Sequence, residues 1–345
     1  MLKLDEKKIR KGKPVGLPYQ GSKKKISKKI VEIIKQNFDA DKPIYDVFGG
    51  GGAITAECVL NGLEVHYNDL DNDITDMFQR VISQDREWIK TLIISRDEFN
   101  KIRQKEPKSV DDNLKLLVNS FGNELSSYLY GADWSDTKYD LAVEIINKHD
   151  VFSGYKQTET YKKADKPYDE GELEKNKKLT QLEQLQQLGR LQQLEQLQQL
   201  GRLQQLEQLQ QLGRLQQLEQ LQQLGRLQQL EQLQQLGRLQ QLGRLEQLEP
   251  TNYSYEAFSD IEDAIFYLDP PYENTTQKSY KGDFNSQAFY DWAFGMSKNN
   301  IVLISSYDIS DERFECVYEF KTARSTMQGG GAGKRTEKLF MAVIT

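Results

Sequence analysis

An α/β fold is what the sequence predicts, and three apolar runs carry the prediction. Pro43–Val47 and Leu63–Tyr67 are short, enclose a helical segment and end in glycine-rich or acidic turns. Ala264-Ile265-Phe266-Tyr267-Leu268 is apolar throughout and stops at two prolines. The run Ala264–Leu268, without alternation, reads as a strand covered on both faces, while the two short runs read as strands around a helix, the start of a βαβ unit.

The first thirteen residues are charged and are expected to be mobile. The turn-rich stretch Gly16–Lys23 leads into a helix marked by Ile26, Ile30, Ile33 and Ile34. After the strand Pro43–Val47 come Phe48-Gly49-Gly50-Gly51-Gly52-Ala53 and a helix to about Leu60. The strand Leu63–Tyr67 closes on Asn68-Asp69-Leu70-Asp71, and another helix follows. Glycines after a first strand let the backbone approach a ligand closely, and an acid ending the second strand can take both ribose hydroxyls. Four glycines in a row lack phosphate-binding spacing, and no Walker lysine follows, so a P-loop is excluded. Asp69, seventeen residues after Gly52, favours a cofactor site over a plain tight turn.

Residues 72–178 are mostly helical in pattern. Asn119-Ser120-Phe121-Gly122-Asn123 and Tyr128-Leu129-Tyr130 lack amphipathic spacing; each aromatic alone reads as core, while together they would suit a nucleic-acid surface. The strand Ala264–Leu268 then runs into Asp269-Pro270-Pro271-Tyr272. Neither proline can donate a ladder hydrogen bond, so the strand must end in a rigid turn. That turn offers a carboxylate, free carbonyls and an aromatic ring at the carboxyl end of a strand, where ligands of open α/β sheets bind. An exocyclic amine on a nucleobase needs those groups: acceptors for two N–H bonds and a flat surface for the ring. A polar loop Glu273–Asn285, a helix around Ala288–Met296 and a strand Ile301–Ile304 follow, and the tail is strand-like around a glycine-rich tip at 329–333.

Composition narrows the classes. Two cysteines make no disulfide framework, and two histidines form no metal-spaced cluster, so no metal is expected. No apolar run reaches membrane length and no signal peptide is seen, so a soluble cytoplasmic protein without a membrane partner is expected. The net charge is −6, yet residues 1–36 hold twelve Lys and Arg against three acids, an arrangement suited to phosphate contacts beside a cleft.

From Leu179 to Leu248 every third residue is Leu, and Gly-Arg returns every twelve residues from Gly189 to Gly237. Heptads are absent, which excludes a coiled coil. A spacing of three rotates each Leu by about 60° around a helix, so no continuous apolar stripe forms. Some stacked repeat is favoured over a free linker, because 24 leucines would otherwise lie exposed; one such form is a tight solenoid whose twelve-residue coil has four three-residue sides. Seven Glu and six Arg in 179–249 argue against a dominant DNA-backbone contact and leave a lesser DNA contact, a protein-partner surface or a spacer open. Setting this segment aside leaves about 270 residues, enough for one well-cored domain and a smaller attachment.

Three motifs, in order, resemble the Dam-type DNA adenine-N6 methyltransferases. Tyr19-Gln20-Gly21-Ser22-Lys23 looks like the family's N-terminal segment, and Asp46-Val47-Phe48-Gly49-Gly50-Gly51-Gly52 like its cofactor loop; Asp269-Pro270-Pro271-Tyr272 is identical to its catalytic tetrapeptide. The resemblance covers about 1–90 and 255–345. It implies a doubly wound, mostly parallel, Rossmann-like methyltransferase sheet with an antiparallel strand near the C-terminus. It also implies a catalytic domain from 1–90 and 255–345, a mainly helical target-recognition region over 91–178 and the repeat as an insertion at 179–249.

The implied activity is transfer of a methyl group from S-adenosylmethionine to adenine N6 in DNA, with the base flipped out of the duplex. Asp269 and the Pro270 carbonyl would accept the amine's protons and Tyr272 would stack on the base. Tyr19, Lys23, Phe48, Gly50, Gly52, Asp69 and Asp269 would line the cofactor cleft, with Lys23 near the methionine carboxylate and Asp69 on the ribose. Cytosine-N4 methylation, RNA adenine methylation and an inactive DNA-binding scaffold are the competing readings; the first Asp of the tetrapeptide, the Lys23 segment and the intact Lys23, Asp69 and Asp269 set disfavour them in turn.

Overall fold

The computed structural model describes residues 1–19, 21–39, 41–153, 156, 227–242, 248–273, 284–324 and 336–344, with the side chains of 133, 134, 153 and 321–324 left aside. These fall into two compact units, one of 1–131 with 232–345 and one of 132–231. The first holds a six-stranded sheet.

Strands β1 (Ile44–Asp46), β2 (Val65–Tyr67), β3 (Ile265–Leu268), β4 (Ile301–Ser306), β5 (Phe314–Arg324) and β6 (Thr336–Ala342) lie in the order β2-β1-β3-β4-β6-β5. The first four are parallel; β6 runs antiparallel to both β4 and β5. A mixed α/β sheet with an antiparallel strand near the C-terminus is thus what forms. Three helices flank it: α1 (Ser27–Asn37), α2 (Ala53–Leu60), which is the β1–β2 crossover, and a later one described below. The next strand after β1 lies on one side of it and β3 on the other, so the strand order reverses between β1 and β3. Ligands of doubly wound sheets bind in the crevice outside the carboxyl ends at such a point.

The β3 sequence shows why both faces are covered. Ile265 and Tyr267 pack with Ile30, Ile34, Ile54 and Cys58 of α1 and α2 on one face. Phe266 and Leu268 pack with Phe289, Ala293 and Met296 on the other. Side chains alternate along a strand, so an uninterrupted apolar run requires two apolar layers. The charged leader is also fixed, contrary to the expectation of mobility. Leu2 N–H donates to Val317 O at 2.8 Å, and Leu2 and Leu4 pack on the α1 layer. Arg10 forms a two-pronged ion pair with buried Glu57 of α2, at 2.8 and 2.7 Å. Two apolar side chains and a buried acid outweigh the solvation of the surrounding lysines.

The β2–β3 connection opens with α3 (Asn72–Ile82), α4 (Arg86–Lys90), α5 (Arg96–Gln104) and α6 (Val110–Asn119). Each starts behind a side-chain cap, from Asp71, Asp85, Ser95 and Ser109, the last in a reciprocal capping box with Asp112. Tyr128, Leu129 and Tyr130 are buried against Phe99, Ile102 and Leu116, and Tyr128 Oη donates to Ile94 O at 2.9 Å. They are core; Phe121 alone of that aromatic group is exposed. The second unit contains α7 (Ala132–Lys148), which buries Ala142 and Ile145.

Most of the leucine repeat lies outside the described residues. Its last full unit does not form a four-sided coil. Gln228–Gln240 is an α-helix, α8, and Leu227, Leu230, Leu233, Leu236 and Leu239 are all buried, as are Gln229 and Gln232. The four leucines within the helix, at steps of three, sweep about 180° of it, and such a helix needs cover on several sides rather than along one stripe. Burial supplied that cover, and the helix preference of Leu, Gln, Glu and Arg then decided the conformation. The last flanking helix, α9 (Ser286–Met296), joins β3 to β4. Among the described residues no helix is long and apolar enough to cross a membrane.

Candidate active site

The turn after β1 is held by its own backbone. Gly52 N–H donates to Gly49 O and Gly49 N–H to Asn68 O, both at 2.8 Å. Gly50 and Gly52 adopt φ of +48° and +67°, which side-chain-bearing residues avoid. A Cβ at Gly49 would come within 2.4 Å of the Tyr67 ring, and one at Gly52 within 2.2 Å of Phe78. Tyr19 lies over the turn, its ring 3.2 Å from a Cβ built on Gly50 and its own Cβ 2.9 Å from one built on Gly51. Asp69, just past β2, accepts from Gly50 N–H at 2.8 Å and from Asp71 N–H at 2.9 Å, one on each oxygen. Phe48 turns its ring toward Tyr255, Phe284 and Phe289 and is half-buried there.

One strand over, Asp269 leaves the end of β3. Pro270 and Pro271 are buried, as a rigid turn on the sheet edge requires. Lys23 Nζ donates to Asp269 Oδ2 at 2.6 Å, with the two side chains 12% and 17% exposed. Thus a segment ahead of α1 and one after β3 meet at the point where strand order reverses. Tyr272 Oη lies 3.2 Å from Asp269 Oδ1 and 2.5 Å from Glu337 Oε1. Lys23 Nζ sits 5.0 Å from the Tyr272 ring centroid, and Tyr307 meets that ring edge-on at 4.6 Å. Burial raises the Asp269 carboxyl to about 6; Lys23 opposes the rise and Glu337 adds to it. The result is an ionised acceptor at neutral pH beside an aromatic face and next to a glycine cradle.

Residues 19–132 match the family model of the D12 class N6 adenine-specific DNA methyltransferases. The match takes in Tyr19, Lys23, the glycine turn and Asp69. That match spans about a third of the chain, and over it the chain is similar to the D12 class N6 adenine-specific DNA methyltransferases. The cytosine-N4 and scaffold readings are not favoured. No curated protein matches the chain. Two solved structures of the rRNA methyltransferase aviRa from Streptomyces viridochromogenes, at 1.5 and 2.4 Å, are similar over 91% of this chain and 84% of that one, with 9% and 10% identity and a TM-score of 0.31 in each case.

Three further groups stand at this site. Asp46, ending β1, is buried; Oδ2 accepts from Thr55 N–H and Oγ1 at 3.1 and 2.6 Å, while Oδ1 has no hydrogen-bond partner among the described residues. Its burial pushes the carboxyl to about 7. Glu337 and Ser305 join the Asp269 cluster from β6 and β4. A signal for Glu337 is present in the sequence: Glu337 and Leu339 share a strand face, and a carboxylate on an apolar face calls for a partner. Lys24 differs from the expected phosphate contact. Its Nζ donates to Gln235 Oε1 of α8 at 2.5 Å, and burial, with Arg238 nearby, lowers its ammonium to about 8. Lys25 remains exposed.

Proposed function

We propose that Asp269, Pro270 and Tyr272 carry methyl transfer to adenine N6, and that Tyr19, Lys23, Phe48, Gly50, Gly52 and Asp69 border the S-adenosylmethionine cleft. The observation that carries this reading is the Lys23–Asp269 ion pair at the mouth of the glycine cradle. The residues suit the cofactor: the turn leaves no room for side chains, Asp69 sets a carboxylate at the end of β2 beside that turn, and the unpartnered Asp46 Oδ1 calls for a donor of the kind an amino-acid ammonium provides. When bound, the cofactor supplies an electrophilic methyl group on a sulfonium.

Adenine N6 is a poor nucleophile because its lone pair is delocalised into the ring. Accepting hydrogen bonds from its two N–H groups at Asp269 and at the Pro270 carbonyl favours a pyramidal nitrogen with a localised lone pair, and the one proton that leaves on methylation can pass to Asp269. Lys23 keeps Asp269 ionised for that purpose. Tyr272 gives the flipped base a stacking surface worth about 1–3 kcal/mol. The work is positioning and electrostatics, with no covalent enzyme intermediate. Residues 1–90 and 255–345 form the catalytic domain in this reading and 91–178 the recognition region, while the repeat at 179–249 contacts DNA or a protein partner.

Asp269→Ala tests the assignment. Methyl transfer to DNA should fall by roughly 100-fold or more, the usual effect of removing one positioned group at a reacting centre, while cofactor binding by calorimetry is kept. Transfer within tenfold of the parent would remove Asp269 from this role.

A further inference from the structure

Tyr272 is anchored from across the sheet. Its loop follows β3, yet its hydroxyl meets Glu337 Oε1 on β6, two strands away, at 2.5 Å. Ser305 Oγ on β4 donates to the same oxygen at 2.8 Å. A hydroxyl carries one proton, and the contact to Asp269 Oδ1 is longer, at 3.2 Å, so that proton belongs to Glu337. Asp269 Oδ2 is held by Lys23 at 2.6 Å. Glu337 is 5% exposed on the face it shares with Leu339, where an apolar residue would satisfy packing alone. A buried carboxylate is costly unless hydrogen-bonded, and its hydrogen bonds here are Tyr272 and Ser305. Stacking by itself would need only a phenyl ring at 272.

We infer that Glu337 is a positioning residue of the methyl-transfer site: by accepting the Tyr272 hydroxyl it fixes the ring as the surface on which the target adenine stacks. The inference rests on the proposed placement of Tyr272 against the base. Glu337 also places a second negative charge beside Asp269. The groups facing this pair are Tyr272, Lys23 ahead of α1, Asp46 at the end of β1, Tyr267 on β3 and Ser305 on β4. Glu337 raises the Asp269 carboxyl, so removing its charge should lower it.

The test uses the full-length enzyme and compares Glu337→Ala, Glu337→Gln, Tyr272→Phe, Tyr272→Ala and Glu337→Ala/Tyr272→Phe. Turnover with duplex DNA, the KM for DNA and the dissociation constant for S-adenosylmethionine are measured. Glu337→Ala should lower kcat/KM for DNA roughly ten- to hundredfold through a misplaced stacking surface, with cofactor binding unchanged. Glu337→Gln keeps the acceptor and should restore most of that loss, while the acid limb of its pH–rate profile moves to lower pH. In the Tyr272→Phe background, Glu337→Ala should do little more. An equal loss in both backgrounds would overturn the inference, as would an unchanged Glu337→Ala enzyme. Should Glu337→Ala fail to fold, Tyr272→Phe decides, since it removes the hydroxyl that Glu337 accepts, and an unchanged kcat/KM for DNA would overturn the inference. Normal transfer by Tyr272→Ala would overturn the underlying placement and the inference with it, and is distinct from loss in Tyr272→Ala with none in Glu337→Ala.

Discussion

Replacing Lys23 by Met keeps the length of the side chain and removes the ammonium that lies 2.6 Å from Asp269 Oδ2. The Asp269 carboxyl stands at about 6 because burial and Glu337 raise it while Lys23 holds it down. An adjacent opposite charge lowers a carboxyl by about 1–3 units, so its removal takes Asp269 to roughly 7–9. At pH 7.5 the ionised share would then fall from about 97% to between about 3% and 75%, by the ordinary titration relation. The ionised carboxylate is the stronger acceptor for an N6–H, so the rate at that pH should drop by up to about 30-fold. The sign is fixed: the less active protonated form now persists to higher pH, and the acid limb moves up. The assay is turnover at saturating DNA and cofactor from about pH 5.5 to 9.5, the range that brackets both limbs. Separate calorimetry of cofactor binding isolates any direct contact of Lys23 with the methionine portion. A Lys23→Met enzyme with its acid limb where the parent has it would refute the coupling.

Further outcomes follow from the same coordinates. Asp69→Ala should weaken S-adenosylmethionine binding roughly 10- to 100-fold, since hydrogen bonds to a charged group are worth about 1.5–3 kcal/mol; an unchanged dissociation constant in calorimetry would withdraw the ribose assignment. Gly52→Ala forces a side chain into φ +67° with its Cβ 2.2 Å from Phe78. It should cost about 2–5 kcal/mol in chemical denaturation, combining left-handed strain and overpacking, and a loss under about 0.5 would count against the turn as described. Gln235→Leu removes the acceptor from the buried Lys24 ammonium and should cost about 1–3 kcal/mol. Unaltered stability would detach this helix of the repeat from the Lys23 turn.

Near-neighbour physics made much of this molecule readable in advance. The βαβ opening and the helix α1 each depend on a few adjacent residues whose steric and hydrogen-bonding rules act locally. The glycine turn is of the same kind, because left-handed φ at Gly50 and Gly52 is a demand that glycine meets. The two prolines after Leu268 stop β3 whatever surrounds them. The resemblance implied a doubly wound, mostly parallel sheet, and the strand order bears it out.

Elements whose conformation depends on remote partners could not be read that way. Leucines at steps of three argue against a helix with one wet side, but α8 is covered on several sides, and cover is a property of the whole fold. Lys24 looks like its exposed neighbour Lys25 in sequence and differs because Gln235, over two hundred residues away, meets it. Glu337 gains its meaning from Tyr272 and Ser305 on other strands. The sequence by itself determined the local turns, the strand ends and the chemical types placed at them. Only the tertiary structure decided which charges were buried together, because desolvation and pairing depend on contacts between residues far apart along the chain.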